Sequence, residues 1–108
     1  KDAIATEGTI TSAGSKILED YRPVFDATVV QRLKESGAQF FGKTEQDEFG
    51  FGTFSTNNAF TTPKNPQDEE RVVGGSSGGA GAVVAAVDQP IISIGESTGG
   101  SITNPAAY

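Results

Sequence analysis

The feature that most restricts how this 108-residue chain can fold is a glycine-rich run at residues 73–80, VGGSSGGA. Four of its eight residues are glycine, so neighbouring backbone can approach this run more closely than side chains normally allow. A second run at residues 95–101, GESTGGS, has the same character. The two runs place Ser76, Ser77 and Ser101 in tightly turning backbone, where a hydroxyl can lie close to a substrate carbonyl.

The composition decides which chemistry those serines could perform. The chain contains no histidine and no cysteine, which excludes the Ser–His and Cys–His arrangements. A lysine followed by an aspartate, Lys1 and Asp2, stands at the start of the sequence. Two serines and one lysine can form a hydrolytic site whose nucleophile is activated without histidine.

Charge and hydropathy limit the classes of partner. The formal net charge is −6, so the chain itself has no basic surface for a nucleic acid. No apolar run approaches the roughly 20 residues that cross a bilayer, and no signal peptide is visible. The absence of cysteine is typical of a reducing compartment. We therefore expect a protein that is not secreted. Its length suits one small domain.

The clearest local pattern is a helix followed by a strand. Apolar residues recur at helical spacing between 27 and 36, and Asp26 precedes them as a predicted N-cap. Gly37 is placed for a left-handed C-terminal cap, and residues 38–42 are predicted to form a strand.

Glycine, proline and apolar spacing divide the rest of the chain. The predicted segments are a loop at 3–12, a short helix at 13–21, a polar loop at 45–70, a small-residue helix at 79–87 packed against a sheet, a buried strand at 90–95 and a helix start at 104–107. Most phenylalanines are predicted to lie in the core or in a subunit interface, namely Phe40, Phe41, Phe49, Phe51, Phe54 and Phe60. The acidic run at 68–70 is predicted to be a solvated turn rather than a metal cluster.

Each serine has a structural alternative to a catalytic role. Ser101, after Thr98, Gly99 and Gly100, could be a nucleophile beside unpaired amides that form an oxyanion hole, or only a helix cap. Ser76 could relay a proton, or it or Ser77 could simply cap the following helix.

The glycine–serine runs carry a resemblance to the amidase signature family. More narrowly, the chain resembles the branch formed by the A subunits of glutamyl-tRNA(Gln) amidotransferases. That narrower similarity rests on five segments in the family's order: SKILE at 15–19, DATVV at 26–30, GKT at 42–44, DEF at 47–49 and KNP at 64–66.

The resemblance implies a fold and a set of site residues. The fold would be α/β, a mixed sheet covered by helices on both faces, with residues 1–108 forming part of one catalytic domain. Ser101 would be the nucleophile, Ser76 the relay serine next to a cis peptide, and Lys1 the base, with Ser77 a supporting hydroxyl. Family members are much longer than this chain, so we expect the isolated 108 residues to be inactive.

The resemblance also implies a function and partners. The A-type protein would hydrolyse glutamine, and its ammonia would convert Glu-tRNA(Gln) to Gln-tRNA(Gln) in a complex with B and C subunits, or with an organellar substitute for the latter. The tRNA would be contacted mainly through these partners. No metal or cofactor is expected in this chain, whereas ATP and Mg²⁺ are expected on the partner. The compartment would be the mitochondrial matrix or the cytoplasm.

The residues at two positions and the length of one segment depart from the family pattern. Ser97 stands where the family usually has aspartate, and Thr103 stands where it usually has arginine. The replacement is charge-balanced, so it leaves no unpaired buried charge. The segment from residue 90 to 101 is also one residue longer than usual, which predicts a shifted register or a bulge.

Two other functions stay open from the sequence. One is a stand-alone amidase that acts on small amides. The other is a non-catalytic interaction module, inactivated by the changes at Ser97 and Thr103.

Overall fold

The computed structural model describes all 108 residues, and most of them lie outside regular secondary structure. Two α-helices are present, α1 at Thr28–Glu35 and α2 at Gly78–Ala86, together with single-turn 3-10 helices at Lys16–Leu18 and Glu48–Gly50. Of the 39 backbone–backbone hydrogen bonds, 31 lie in turns, loops and caps. Loop-to-loop contacts therefore position most of this chain.

Helix α1 and its C-terminal cap confirm the prediction made for residues 27–36 and Gly37. Gly37 has a φ of +83°, and its N–H donates to Lys34 O at 3.0 Å. The next N–H, that of Ala38, donates to Leu33 O at 3.0 Å. This pair of bonds is a Schellman motif, in which glycine supplies the left-handed conformation that ends the helix.

The prediction that Asp26 is the N-cap of α1 is wrong. The N-cap position falls on Ala27, which makes no side-chain capping bond. Asp26 instead accepts from Glu7 N–H at 2.8 Å and from Lys34 Nζ at 2.5 Å. Asp26 bonds to these two residues instead of capping α1. Its bond to Glu7 joins the start of α1 to the loop formed by residues 3–12.

Helix α2 confirms the helix predicted at 79–87, but its packing differs from the prediction. Its first turn is buried against loops rather than against a sheet. A Cβ added to Gly78 would lie 2.2 Å from Ser55 Oγ, and one added to Gly79 would lie 2.6 Å from Glu45 N. Both positions therefore require glycine, because no side chain fits between the helix and these loops.

No β-strand forms within these 108 residues, so the strands predicted at 38–42 and 90–95 are wrong for this chain. A strand needs a hydrogen-bonded neighbour, and these extended segments form no ladder of backbone bonds with any other segment, only isolated contacts near their ends. Lys1 N donates to Ile94 O at 2.6 Å, and Asp2 N donates to Thr44 O at 3.0 Å. The mixed sheet stays a prediction for a chain of the family's full length.

The other predicted helices are shorter than expected. The helix predicted at 13–21 is reduced to the single turn Lys16–Leu18, whose N–H group at Ile17 donates to the Ser15 hydroxyl at 3.2 Å. The start predicted at 104–107 consists of turns, with Asn104 N–H donating to Gly100 O at 2.8 Å. None of the helices has the length and apolar character that crossing a bilayer requires.

The interior of this chain is mostly polar. Of its 22 buried residues, only five have apolar side chains: Ala13, Pro23, Val73, Ala80 and Pro105. The phenylalanines, predicted to lie in the core or in a subunit interface, form no core within these residues, since all are exposed, Phe41 by 86% and Phe51 by 80%. Hydrogen bonds, rather than apolar burial, therefore organise the centre, where every residue of the run at 73–80 is buried.

Candidate active site

Lys1 and Ser76 meet in the buried centre of the chain, 75 positions apart in sequence. Lys1 Nζ donates to Ser76 Oγ at 2.8 Å, and the Lys1 side chain is fully buried. Ser76 has no exposed surface. Two of the three residues predicted to carry the chemistry are thus in direct contact.

Glu96 is the second partner of the Lys1 ammonium, and sequence reasoning missed it. Its Oε1 lies 2.5 Å from Lys1 Nζ, and its side chain is 53% exposed. The Glu96 backbone oxygen also accepts from Lys1 Nζ at 3.4 Å. Its only mark in the sequence is that it is the one charged residue in the second glycine-rich run, and this does not identify its partner.

The backbone around Ser76 has the geometry predicted for it. The Gly75–Ser76 peptide is cis, as expected for this run. The Ser76 carbonyl accepts from Asp47 N–H at 3.1 Å, so the segment containing Asp47 runs alongside Ser76. This bond fixes the orientation of the Ser76–Ser77 peptide.

Asp47 is a fully buried carboxylate that organises the loops around the site, and it was predicted only as part of a family segment. Its Oδ2 accepts from Ser55 N–H at 3.0 Å and its Oδ1 accepts from Asn57 N–H at 2.9 Å. A Cβ on Gly75 would lie 2.3 Å from Asp47 Oδ2. Paired N–H donors satisfy the buried charge, and the missing side chain at Gly75 makes room for it.

The alternative in which Ser76 or Ser77 caps α2 is not what the structure shows. Ser77 occupies the N-cap position but makes no side-chain capping bond. The Ser55 hydroxyl performs that role from a distant loop, accepting from Gly78 N–H at 3.0 Å. Because Ser55 satisfies the helix terminus, the Ser76 hydroxyl is free to contact Lys1.

Ser101 lies beside the buried serines but is not bonded to their hydroxyls. Its carbonyl accepts from Ser77 N–H at 3.2 Å, whereas its hydroxyl makes no hydrogen bond, and the residue is partly exposed. The N–H groups of Thr98, Gly99 and Ser101 donate to no atom of the chain. Of the three amides in the predicted oxyanion loop, those of Thr98 and Gly99 are unpaired, whereas Gly100 N–H is bonded to the Ser97 hydroxyl. The Ser101 hydroxyl has no partner.

The two positions that depart from the family pattern act on one glycine. The Ser97 hydroxyl accepts from Gly100 N–H at 3.2 Å, and the Thr103 hydroxyl donates to Gly100 O at 3.4 Å. Gly100 has a φ of +120°, which favours glycine. Two hydroxyls thus bond to the N–H and to the C=O of Gly100, the residue just before Ser101.

A second buried cluster lies behind Lys1. The Asp2 carboxylate accepts from the Ser12 N–H at 2.8 Å and hydroxyl at 2.5 Å, and lies 3.7 Å from Lys43 Nζ. Burial lowers the pKa of the Lys43 ammonium. Burial, followed by the charge of Asp2, raises the pKa of the Glu45 carboxyl. The Asp2 carboxylate is therefore occupied by Ser12 and Lys43, and the Lys1 ammonium bonds to Ser76 and Glu96 instead.

No group of three or more acidic side chains is close enough together to hold a metal ion. The acidic run at 68–70 is exposed, as predicted. Asp68 accepts from Arg71 Nε at 3.0 Å and Glu69 from Lys64 Nζ at 2.8 Å.

Comparison with known proteins identifies the family of this chain. The family model described as Amidase matches residues 1–108. The A subunit of glutamyl-tRNA(Gln) amidotransferase from Archaeoglobus fulgidus is 53% identical over all 108 residues, which correspond to 23% of that protein. This chain belongs to the amidase family.

Two solved structures have a backbone fold similar to that of this chain. The crystal structure of the glutamyl-tRNA(Gln) amidotransferase A subunit from Thermotoga maritima is 51% identical, with a TM-score of 0.78 over 80% of this chain and 19% of that one. A crystal structure described as an amidase is 38% identical, with a TM-score of 0.84 over 98% of this chain and 24% of that one. The chain spans about a quarter of the length of the curated relatives it matches.

Proposed function

We propose that these residues belong to a glutaminase subunit that supplies ammonia for converting Glu-tRNA(Gln) to Gln-tRNA(Gln). The observation that carries the proposal is the hydrogen bond from the buried Lys1 to the buried Ser76. A lysine that is completely enclosed and bonded to a serine is uncommon unless the pair has a specific task. Similarity to the amidotransferase A subunits over the whole chain supports this choice of substrate and partners.

The proposed reaction is hydrolysis of the glutamine side-chain amide through an acyl-enzyme. Neutral Lys1 accepts the proton of Ser76, which accepts the proton of Ser101 as the Ser101 oxygen attacks the amide carbon. The same protons return through Ser76 to the leaving nitrogen, which departs as ammonia. Water then attacks the ester on Ser101, releasing glutamate and restoring the hydroxyl.

The loop before Ser101 supplies the anion-binding groups in this proposal. The tetrahedral intermediate carries a negative oxygen, and the N–H groups of Thr98, Gly99 and Gly100 are the candidates to bind it. Gly100 N–H is held by Ser97 in the structure, so Thr98 and Gly99 have the freer donors. One such donor contributes about 3 kcal/mol to transition-state stabilisation.

The proposal extends to partner subunits and to a compartment. The proposal includes the B subunit, the C subunit or its organellar substitute, and ATP with Mg²⁺ on the partner rather than on this chain. The net charge of −6 agrees with tRNA contact mainly through those partners. Location in the mitochondrial matrix or the cytoplasm stays a prediction.

The experiment requires a protein of the relatives' full length that carries these 108 residues, called here the complete subunit, assembled with its partners. Ser101→Ala should abolish glutamine hydrolysis, while amidation with free ammonia continues because that step belongs to the partner. Ser93→Ala is the matched control, since the Ser93 hydroxyl makes no hydrogen bond. Persistent glutamine hydrolysis in Ser101→Ala would exclude Ser101 as the nucleophile.

A second candidate is a stand-alone amidase. The observation that favours it is the higher TM-score, 0.84, with the solved structure described as an amidase. Copurification of the complete subunit with tRNA-binding partners would support the amidotransferase, and turnover of small amides without partners would support the alternative. A non-catalytic module would fail to react with an active-serine probe.

A further inference from the structure

Gln46 is a completely buried amide in the centre of the chain, and the proposed mechanism gives it no task. Its Oε1 accepts from Ala3 N–H at 2.8 Å. Its Nε2 donates to Asp47 O at 3.0 Å and to Ala13 O at 3.3 Å. Both ends of the amide therefore have partners, and one of these partners lies two residues from the proposed base.

Residues 1–4 form a turn that carries the proposed base, called here the lysine turn. A backbone hydrogen bond of 3.0 Å between its last and first residues closes it. The two N–H groups in the middle of the turn bind outside it: that of Asp2 donates to Thr44 O at 3.0 Å, and that of Ala3 donates to Gln46 Oε1. The lysine turn is thus docked on residues 44–46 by one main-chain acceptor and one side-chain acceptor.

The same short segment also binds the loop of the relay serine. Asp47 N–H donates to Ser76 O at 3.1 Å, and Glu45 O accepts from Gly79 N–H at 3.1 Å. Residues 44–47 therefore bond both to the lysine turn and to the loop of the relay serine. The position of the base relative to the relay serine depends on how closely each of them is held to this segment.

Among the bonds of Gln46, the one to Ala3 has no substitute. The two carbonyls that accept from Gln46 Nε2 each accept from a second donor as well, the N–H groups of Gly50 and Phe49, both at 2.8 Å. Those carbonyls keep a partner if the amide nitrogen is removed. Ala3 N–H, in contrast, has Gln46 Oε1 as its one acceptor. The specific contribution of this side chain is therefore its bond to the lysine turn.

We propose that Gln46 is a positioning residue that, through Ala3 N–H, holds the lysine turn at the place from which the base reaches the relay serine. It bonds to neither Lys1 nor Ser76, so it acts only through the backbone of the turn. Lys1 Nζ and Ser76 Oγ lie 2.8 Å apart, and a proton passes between them only within hydrogen-bond reach. A small displacement of the turn therefore slows the reaction. This inference rests on the proposed function, in which Lys1 accepts the proton of Ser76.

The test compares two variants of Gln46 in the complete subunit. Gln46→Met keeps the length of the side chain and removes its acceptor, so kcat for glutamine should fall about tenfold while KM stays near its original value, since no substrate contact changes. Gln46→Glu keeps an acceptor for Ala3 N–H and should retain kcat within about threefold. Burial of a carboxyl should nevertheless make Gln46→Glu the less stable of the two. A role in stability alone would give the less stable variant the lower activity.

Asn65 is the matched control, because its buried amide makes the same set of bonds elsewhere in the chain. Its Oδ1 accepts from Gln67 N–H at 2.9 Å, and its Nδ2 donates to Val72 O and to Tyr108 O, both at 3.2 Å. Asn65→Leu should destabilise the protein about as much as Gln46→Met and leave kcat near that of the unmodified enzyme. Equal losses of kcat in these two variants, or in the two variants of Gln46, would overturn the proposal.

A second measurement separates this proposal from the proposed function. A crystal structure of the Gln46→Met complete subunit should show a displaced lysine turn and loss of the 2.8 Å hydrogen bond between Lys1 Nζ and Ser76 Oγ. The rate at which a fluorophosphonate labels Ser101 should fall with it. An unchanged hydrogen bond overturns the proposal whatever the substrate. A broken bond in a protein whose unmodified form does not hydrolyse glutamine supports the positioning role and overturns only the proposed function.

Discussion

The Lys1 ammonium nitrogen donates a hydrogen bond to Ser76 Oγ at 2.8 Å, in a part of the chain that excludes solvent from both groups. The adjacent serine, Ser77, is equally buried, but its hydroxyl reaches only the Glu96 backbone oxygen, at 3.5 Å. Two neighbouring serines therefore have different partners, and this difference makes their roles separable.

Ser76→Ala in the complete subunit should lower kcat for glutamine by a factor of about 10³ or more, because proton transfer between Ser101 and Lys1 loses its intermediate. Ser77→Ala is the matched control and should lose far less. The measurement is steady-state ammonia release. Equal losses in the two variants would contradict the assignment of Ser76 as the relay.

Gly50→Ala should lower kcat/KM, because a Cβ there would lie 3.5 Å from Glu96 Oε1 and 3.7 Å from Ser76 Oγ, and a backbone shift that relieves its strained φ would disturb these contacts. Its φ of +80° adds about 1 kcal/mol or more of backbone strain. Gly37→Ala carries nearly the same strain, with a φ of +83°, but has nothing within 4 Å. Both variants should lose similar stability by thermal denaturation, and only Gly50→Ala should lose activity. Equal activities would show that Gly50 has only a backbone role.

Ser55→Ala should lower the free energy of unfolding by about 1 kcal/mol, the usual effect of losing an N-cap. The Ser55 hydroxyl is the group that satisfies Gly78 N–H at the start of α2, so its removal leaves a buried donor unpaired. Denaturant titration of the complete subunit measures the change, with Ser93→Ala as control. A loss no larger than that of the control would mean that another group caps the helix.

Glu45→Gln should stabilise the protein at pH 7 and have little effect near pH 4. Burial raises the pKa of the Glu45 carboxyl above its unfolded value of 4.5, so folding opposes its ionisation. The stability it contributes is complete below pH 4.5 and is lost as the pH rises through the folded pKa. The gain is below about 1 kcal/mol, since solvent screens this half-exposed group. Thermal denaturation at both pH values measures it, and equal effects at both would contradict the assignment.

How much of the site could be predicted differs from residue to residue. The glycine–serine runs identified Ser76, Ser77 and Ser101, and the family resemblance, through the pair Lys1 and Asp2, pointed to Lys1. Glu96 and the buried Asp47 were missed as site residues. Carboxylates in polar, glycine-rich segments are normally solvated, and nothing local distinguishes one that a distant lysine or two N–H groups will bind.

The sequence by itself determined the two helices and the C-terminal end of α1, because helical spacing and a left-handed glycine act within a few residues of one another. Gly37 ends α1 as predicted, and the small residues of 79–87 form α2. The tertiary structure decided everything that depends on a distant partner. Ser55 rather than Ser77 caps α2, the Asp26 carboxylate accepts from Glu7 and Lys34 instead of capping the start of α1, and the segments at 38–42 and 90–95 are not strands here. Hydrogen bonds between residues far apart in sequence depend on how the whole chain folds, and a local sequence pattern does not contain that information.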